Sequence, residues 1–137
     1  MGAGENRKLM EDVFGALTEG NDALFIEAMA DDMRWIWMGS GRWSRVFEGK
    51  QAILNDLWSA VRATLAPPYK VTAQRFIAEG DHVAIEATGS NTTRDGRQYE
   101  NRYCWVCELS GGKIHELREY MDTELVTSIF KEEQQKN

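Results

Sequence analysis

The run from Tyr99 to Leu109 constrains the fold of this chain more than any other segment, because its side chains alternate between two faces. One face carries Tyr99, Asn101, Tyr103, Trp105, Cys107 and Leu109, and the other carries Gln98, Glu100, Arg102, Cys104, Val106 and Glu108. A period of two is typical of a half-buried β-strand. The sequence Ser110-Gly111-Gly112-Lys113 predicts a tight turn, so we expect the run from Ile114 to Asp122 to return as a second strand.

The aromatic face of this strand carries a single amide, that of Asn101. Ligand pockets in proteins are mostly apolar and contain a few polar groups that orient the ligand. This face is therefore a candidate wall of a ligand cavity, and Asn101 is a candidate ligand-binding side chain.

The spacing of apolar residues predicts the remaining elements. Helical spacing predicts helices over 4–18, 22–29, 50–65 and 123–131, and Pro67-Pro68 ends the third of them. Strands are predicted over 33–38, 69–78, 82–93, 99–109 and 114–122, with a hairpin turn at Asp95-Gly96. We interpret residues 39–48 as a loop and 131–137 as a frayed tail. Helices followed by a meander of antiparallel strands indicate an α+β fold, and 137 residues form a single domain, 1–137.

The composition argues against some classes of partner. A net charge of −6 disfavours nucleic acid, because phosphate binding needs clustered Lys and Arg. No apolar run reaches the length of a membrane span, and the first residues contain no apolar signal segment. We therefore expect no membrane partner and a cytoplasmic location.

The two cysteines, Cys104 and Cys107, have the C-x-x-C spacing of redox and metal sites. Residues three apart in a strand point to opposite faces, so this pair cannot share a metal ion or form a disulfide without a bulge. We predict two reduced thiols, no metal site and no cofactor.

Three segments carry a resemblance to a known superfamily: Ala30-Asp31-Asp32, Phe47-Glu48-Gly49 and the run from Gly112 to Asp122. Together with the order of elements, they resemble the NTF2-like superfamily, and within it SnoaL-like and ketosteroid-isomerase-like proteins, over residues 8–130. The resemblance implies a cystatin-like cone, in which helices pack on a curved antiparallel sheet around a cavity. It also favours a homodimer through the outer sheet face, where alternation places Thr72, Gln74, Phe76, Glu86, Thr88, Arg102, Cys104, Val106, Arg118 and Tyr120.

The catalytic positions of two well-characterised groups in this superfamily hold different residues here. The positions that match the catalytic residues of ketosteroid isomerases hold Val13, Trp37 and a residue near Trp105. In limonene-epoxide-hydrolase-like enzymes, the last-strand carboxylate matches Glu119, but the other positions hold Trp35, Trp37, Ala87 and Gly89. We therefore expect neither reaction. Proton transfer by one acidic residue, as in SnoaL-like cyclases, stays open.

The resemblance implies that Glu119 faces the cavity, where desolvation would raise its pKa and suit it to general acid–base catalysis. We expect Asn101 and Tyr103 to orient Glu119 or bind a substrate oxygen. The expected ligand contacts are Trp35, Trp37, Trp43, Trp105, Leu117 and Met121, with Trp43 either a lid over the cavity or a subunit contact. In the alternative, Glu119 lies at the rim and pairs with Arg75 or Arg118, Asn101 binds a backbone group, and the tryptophans are core.

These candidates predict a pocket for a compact apolar or aromatic metabolite. If the protein is an enzyme, the expected reaction is a cyclisation, isomerisation or dehydration without a cofactor. The alternative is a ligand-binding or dimeric interaction module without catalysis.

Overall fold

The computed structural model describes residues 2–130, so the predicted frayed tail 131–137 lies outside the described residues. The helices are α1 Ala3–Leu17, α2 Ala23–Ala28, α3 Lys50–Ala52, a π-helical segment Ile53–Trp58, α4 Ser59–Thr64 and α5 Thr123–Phe130. The strands are β1 Met29–Trp37, β2 Val46–Glu48, β3 Val71–Glu79, β4 His82–Gly89, β5 Asn91–Thr92, β6 Gln98–Tyr99, β7 Arg102–Ser110 and β8 Lys113–Met121. None of the helices within 2–130 is long and apolar enough to cross a membrane.

Six strands form one curved sheet in the order β2-β1-β8-β7-β4-β3, and β5 and β6 form a separate hairpin. The β1–β8 pair is parallel, and the other pairs are antiparallel. The edge of Phe14 in α1 packs against the ring of Phe76, with 5.9 Å between ring centroids, so α1 covers the β3 side of the sheet. The prediction of an α+β fold with helices on a curved antiparallel sheet is confirmed.

Several element boundaries differ from the predicted ones. β1 begins at Met29 rather than at Met33, and the predicted loop 39–48 contains β2, a three-residue edge strand too short to show alternation. The predicted strand over 82–93 ends at Gly89, and the chain resumes as β5, which pairs with β6 rather than with β3.

A bulge in β8 decides which side chains face the core. Ile114 pairs with Leu109 and Glu116 pairs with Glu108, so His115 is an extra residue on this strand. Uninterrupted alternation would place His115 on the face of Glu119, and that expectation is wrong. The imidazole instead meets the Asp32 carboxylate at the surface, with 3.1 Å between Nδ1 and Oδ1.

A second bulge, in β3 between Ala73 and Arg75, corrects the predicted outer face of the sheet. It places Phe76 opposite the buried Ile85, where the Phe76 ring contacts α1. Phe76 is therefore not part of the outer face. Arg75 occupies that face in its stead and pairs with Glu86 at 3.1 Å.

The helical stretch from Lys50 to Thr64 lays an apolar stripe over the open end of the sheet. Leu57, Trp58, Val61 and Leu65 are buried on this stripe. The π-helical turn carries Leu57 and Trp58, and such turns are frequent at functional sites. The Trp58 indole donates a hydrogen bond of 2.8 Å to the Asp22 carboxylate, which fixes the stripe to the start of α2.

Candidate functional site

An aromatic cavity lies between the sheet and the helical stripe. Its lining residues are Trp35, Trp37, Leu57, Trp58, Val61, Leu65, Tyr69, Tyr99, Tyr103, Glu119 and Phe130. The volume open to the centre of a water-sized sphere is about 10 Å³, which is enough for about one water molecule. The predicted hollow thus exists, but its own aromatic rings nearly fill it.

Tyr103 occupies the space that the small residues on β4 leave free. A Cβ atom placed on Gly89 would lie 3.2 Å from the Tyr103 ring and 3.3 Å from its hydroxyl oxygen. The small residue Gly89 therefore leaves no room for a ligand here, because the tyrosine takes that room.

Among the described residues, Glu119 is the one carboxylate in the cavity wall, and only 2% of the residue is exposed. The strand register sets its place: Trp105 of β7 pairs with it on one side and Trp37 of β1 on the other. The Trp35 indole N–H donates a hydrogen bond of 2.8 Å to Oε1. Trp35 therefore orients the carboxylate, where we had expected Asn101 or Tyr103 to do so.

The alternative of a rim carboxylate paired with arginine does not fit the contacts. Arg75 pairs with Glu86 at 3.1 Å, and Arg118 pairs with Glu116 at 3.2 Å. Among residues 2–130, no cation lies within salt-bridge distance of Glu119. The carboxyl group is therefore buried without an opposite charge.

Burial raises the pKa of Glu119 to about 7, because the ionised form loses its hydration. The indole N–H groups of Trp105 and Trp35 act in the opposite direction and lower this pKa. The Trp105 N–H forms no hydrogen bond of normal geometry, so we attribute its effect to a nearby dipole. At neutral pH, both the acid and its conjugate base are well populated, which suits a group that must accept and return a proton.

Three phenols share the cavity wall with Glu119: Tyr69, Tyr99 and Tyr103. Burial raises the pKa of Tyr99 to about 12 and the pKa of Tyr69 and Tyr103 well above the usual value. The charge of Glu119 contributes to the raised pKa of each phenol, as expected for neighbouring acids. All three remain neutral hydrogen-bond donors at physiological pH.

The sequence pattern predicts Tyr103 as a wall residue, but it does not predict Tyr69, Tyr99 or the helical stripe. Tyr69 lies in the connection between α4 and β3, where no periodic pattern points to the cavity. Tyr99 lies on the same face of the alternating run as Tyr103, so the alternation could have identified Tyr99 as a wall residue.

Asn101 is buried, but its hydrogen bonds go to the protein. Its Oδ1 accepts from the backbone amides of Arg102 at 2.7 Å and Asp122 at 3.0 Å. Its Nδ2 donates to the Tyr99 hydroxyl at 3.1 Å and to the Asp122 carbonyl at 3.3 Å. Asn101 therefore joins β7 to the start of α5 and holds the Tyr99 phenol, and no hydrogen bond connects it to Glu119.

Comparison with known proteins places this arrangement in a family. A family model described as a SnoaL-like domain matches residues 10–117, which is most of the chain. The chain belongs to the SnoaL-like family. No functionally curated protein is significantly similar to it in sequence.

Solved structures similar to this SnoaL-like chain agree with it in fold. An NTF2-like protein from Burkholderia xenovorans LB400 is 21% identical, with 95% of this chain and 98% of that chain covered and a TM-score of 0.71. A protein from Jannaschia sp. CCS1, whose name proposes a SnoaL-like polyketide cyclase, is 16% identical, with 93% and 92% covered and a TM-score of 0.73. TerC, co-crystallised with polyporic acid, is 17% identical, with 92% and 98% covered and a TM-score of 0.74.

Four of the expected ligand contacts of this SnoaL-like protein lie away from the cavity wall: Trp43, Trp105, Leu117 and Met121. Trp105 and Leu117 are fully buried core residues behind the wall. Met121 is partly buried and pairs with Tyr103 across the strands. The Trp43 indole donates a hydrogen bond of 3.0 Å to the Phe130 carbonyl, and its ring packs against Trp37 and Phe130, so Trp43 anchors the 39–48 segment to α5 behind these two wall residues.

The cysteines of the SnoaL-like chain are free thiols, with Cys107 in the core and Cys104 partly exposed. Burial raises the pKa of both thiols, which keeps them protonated. In the described part of the chain, no three His, Cys, Asp or Glu side chains are grouped as metal ligands.

Proposed function

We propose that this SnoaL-like protein is an acid–base catalyst that uses Glu119 to move a proton on a small, flat, apolar or aromatic molecule, without a cofactor. The observation that supports it most is a carboxyl group with a pKa of about 7, buried without a counter-ion among neutral phenols. The burial of such a group lowers the stability of the folded protein, and groups with strongly shifted pKa values are concentrated at functional sites.

The proposed chemistry begins with ionised Glu119, which removes a proton from a carbon next to a carbonyl group. The electron pair moves to the carbonyl oxygen, and a neutral phenol such as Tyr103 donates a hydrogen bond to that oxygen. Where a C=C bond is conjugated with the enolate, neutral Glu119 then returns the proton to the far carbon of that bond, so the double bond moves and an isomer forms. If the carbanion attacks a second carbonyl carbon instead, a ring closes and Glu119 protonates the new alkoxide.

The most serious competitor is a binding module without catalysis, and the small cavity favours it. A volume of about 10 Å³ admits no aromatic ring unless side chains move. One name among the similar structures favours the catalytic alternative, because it proposes a polyketide cyclase. The two proposals differ in whether a bound ligand exchanges a proton with Glu119.

Hydrogen–deuterium exchange of 2-tetralone in deuterated buffer tests the proposal, because this flat aromatic ketone has acidic hydrogens next to its carbonyl. We expect the protein to accelerate loss of the corresponding proton NMR signals, with a rate that rises through pH 7 as Glu119 ionises. Glu119→Gln should remove the acceleration. Glu108→Gln is the matched control, because Glu108 is exposed on the opposite face of β7.

Exchange that is no faster than in buffer, or equally fast with Glu119→Gln, would contradict the catalytic proposal. Saturable binding of 2-tetralone without accelerated exchange would instead support the binding module.

We also propose that the protein forms a homodimer through the outer face of the sheet. Tyr120 lies on this face and 43% of it is exposed, and contiguous exposed apolar surface marks protein–protein interaction sites. Cys104 pairs with Tyr120 across β7 and β8, so the face continues over neighbouring strands.

A further inference from the structure

An open cleft adjoins the buried cavity beside the C-terminal end of α4. Its volume is about 350 Å³, whereas the cavity has about 10 Å³. Val61, Leu65 and Tyr69 line both spaces. These shared side chains therefore separate the cavity that contains Glu119 from the cleft.

Of the three residues in this wall, Tyr69 is the one that is only partly buried. Val61 belongs to α4, and Leu65 forms a β-bridge with Thr93, so their backbones are held. Tyr69 lies outside helix and strand, and the residue is only partly buried although its hydroxyl end reaches the phenol cluster. Its ring packs edge-on against Trp58, with 5.2 Å between ring centroids.

Rotation of the Tyr69 side chain would join the two spaces and vacate the volume of one phenol ring. That volume is flat, contacts Trp58 and lies next to the phenols around Glu119. An aromatic ring of the substrate fits the vacated place, since it would restore the edge-to-face contact with Trp58.

The outer cleft is positively charged, although the protein as a whole carries a net charge of −6. Two arginines, Arg62 and Arg94, and one carboxylate, Asp22, line it. Arg62 pairs with Asp22 at 2.6 Å. Arg94 donates from Nε and Nη2 to the Arg62 carbonyl at 3.0 and 2.7 Å, and within residues 2–130 no carboxylate lies within salt-bridge distance of it.

We propose that the outer cleft binds a carboxylate of the substrate at Arg94, while the aromatic ring of the same molecule takes the place of the Tyr69 ring beside Glu119. The substrates would then be small aromatic carboxylic acids. This proposal rests on the proposed function, which it refines by naming the charged group that the substrate carries and the route by which it enters.

Binding of 2-naphthoate and of its neutral analogue 2-naphthamide tests the proposal, with quenching of the tryptophans around the cavity as the signal. At low salt we expect naphthoate to bind about fivefold more tightly, the effect of one partly exposed ion pair. The preference should fall as salt is added. Arg94→Gln should abolish it and Arg94→Lys should keep part of it.

Arg7→Gln is the control, because Arg7 is an exposed arginine on α1 away from the cleft. Tyr69→Ala should strengthen the binding of both probes, because the wall is then already open. The salt titration uses the unaltered protein, so it tests the proposal even if the Arg94 variants lose stability.

Equal affinity for the two probes at low salt would overturn the proposal, as would a preference that survives in Arg94→Gln. Failure of both probes to bind either the unaltered protein or Tyr69→Ala would overturn it as well. The proposed catalysis is tested separately, because Glu119→Gln should abolish exchange of 2-tetralone while keeping the preference for naphthoate. A preference for naphthoate without any exchange that depends on Glu119 would therefore contradict the catalysis alone.

Discussion

Replacing Glu119 by glutamine should make the protein more stable, and the gain should depend on pH. The amide keeps an oxygen that can accept the Trp35 N–H bond of 2.8 Å, but it carries no charge at any pH. Ionised Glu119 is buried without a counter-ion, so it destabilises the folded state.

The sign and size follow from proton linkage. The pKa of Glu119 is about 7 in the folded protein and 4.5 for an ordinary glutamate. Below pH 4.5, Glu119 is protonated in both states and carries no penalty. Between the two values, the unfolded state gives up the proton first, so the free energy of unfolding falls by about 1.4 kcal/mol per pH unit. Above pH 7, the penalty is complete at about 3 kcal/mol.

Urea denaturation followed by tryptophan fluorescence measures this effect. The free energy of unfolding of Glu119→Gln, relative to that of the unaltered protein, should be about 3 kcal/mol higher at pH 8 than at pH 4. Glu108→Gln, on the exposed face of β7, should show no comparable change with pH. A difference between Glu119→Gln and the unaltered protein that is the same at pH 4 and pH 8 would refute the raised pKa and, with it, the basis of the proposed acid–base role.

Three further predictions concern the packing of the site and the assembly. Gly89→Ala should press on the Tyr103 ring and lower the free energy of unfolding by about 1–3 kcal/mol in a urea titration. The control Gly15→Ala lies on an open helix surface and should raise the free energy of unfolding by about 0.5–1 kcal/mol. Asn101→Ala should cost about 2–4 kcal/mol, because two backbone amides lose their acceptor; unchanged stability with lost binding of 2-tetralone would instead make it a ligand residue. Sedimentation equilibrium should show a dimer at micromolar concentration that Tyr120→Asp dissociates, and a monomeric unaltered protein would refute the proposed interface.

Periodicity in the sequence was sufficient to predict most of the elements and the side-chain parity of β7. Tyr103, Trp105, Cys107 and Leu109 are all buried, as their alternation indicates. The assignment of side chains to strand faces was wrong at the two bulges. A bulge inserts one residue, so the side chains that follow it point to the opposite face from the one that alternation predicts. His115 in β8 was misplaced for that reason, and so was Phe76 in β3.

The candidate site was predicted in part. Alternation and the family resemblance together place Glu119 in the cavity, and the prediction that desolvation raises its pKa agrees with the structure. Asn101 was singled out as the amide on an aromatic face, but alternation reports only which face a side chain is on. Alternation gives no information on hydrogen bonding. The start of β7 and the residue before α5 present the backbone amides of Arg102 and Asp122, and the Asn101 side chain accepts hydrogen bonds from both.

The amino-acid sequence by itself determined the order of helices and strands, because that order depends on local periodicity. The placement of an acidic residue among aromatic ones needed the family resemblance as well. Only the tertiary structure decided that Trp35 orients this acid, that Tyr69 separates it from a positively charged cleft, and that Tyr103 fills the space above Gly89. These contacts join segments far apart in the chain, and their geometry follows from strand register and packing, to which no local pattern is sensitive.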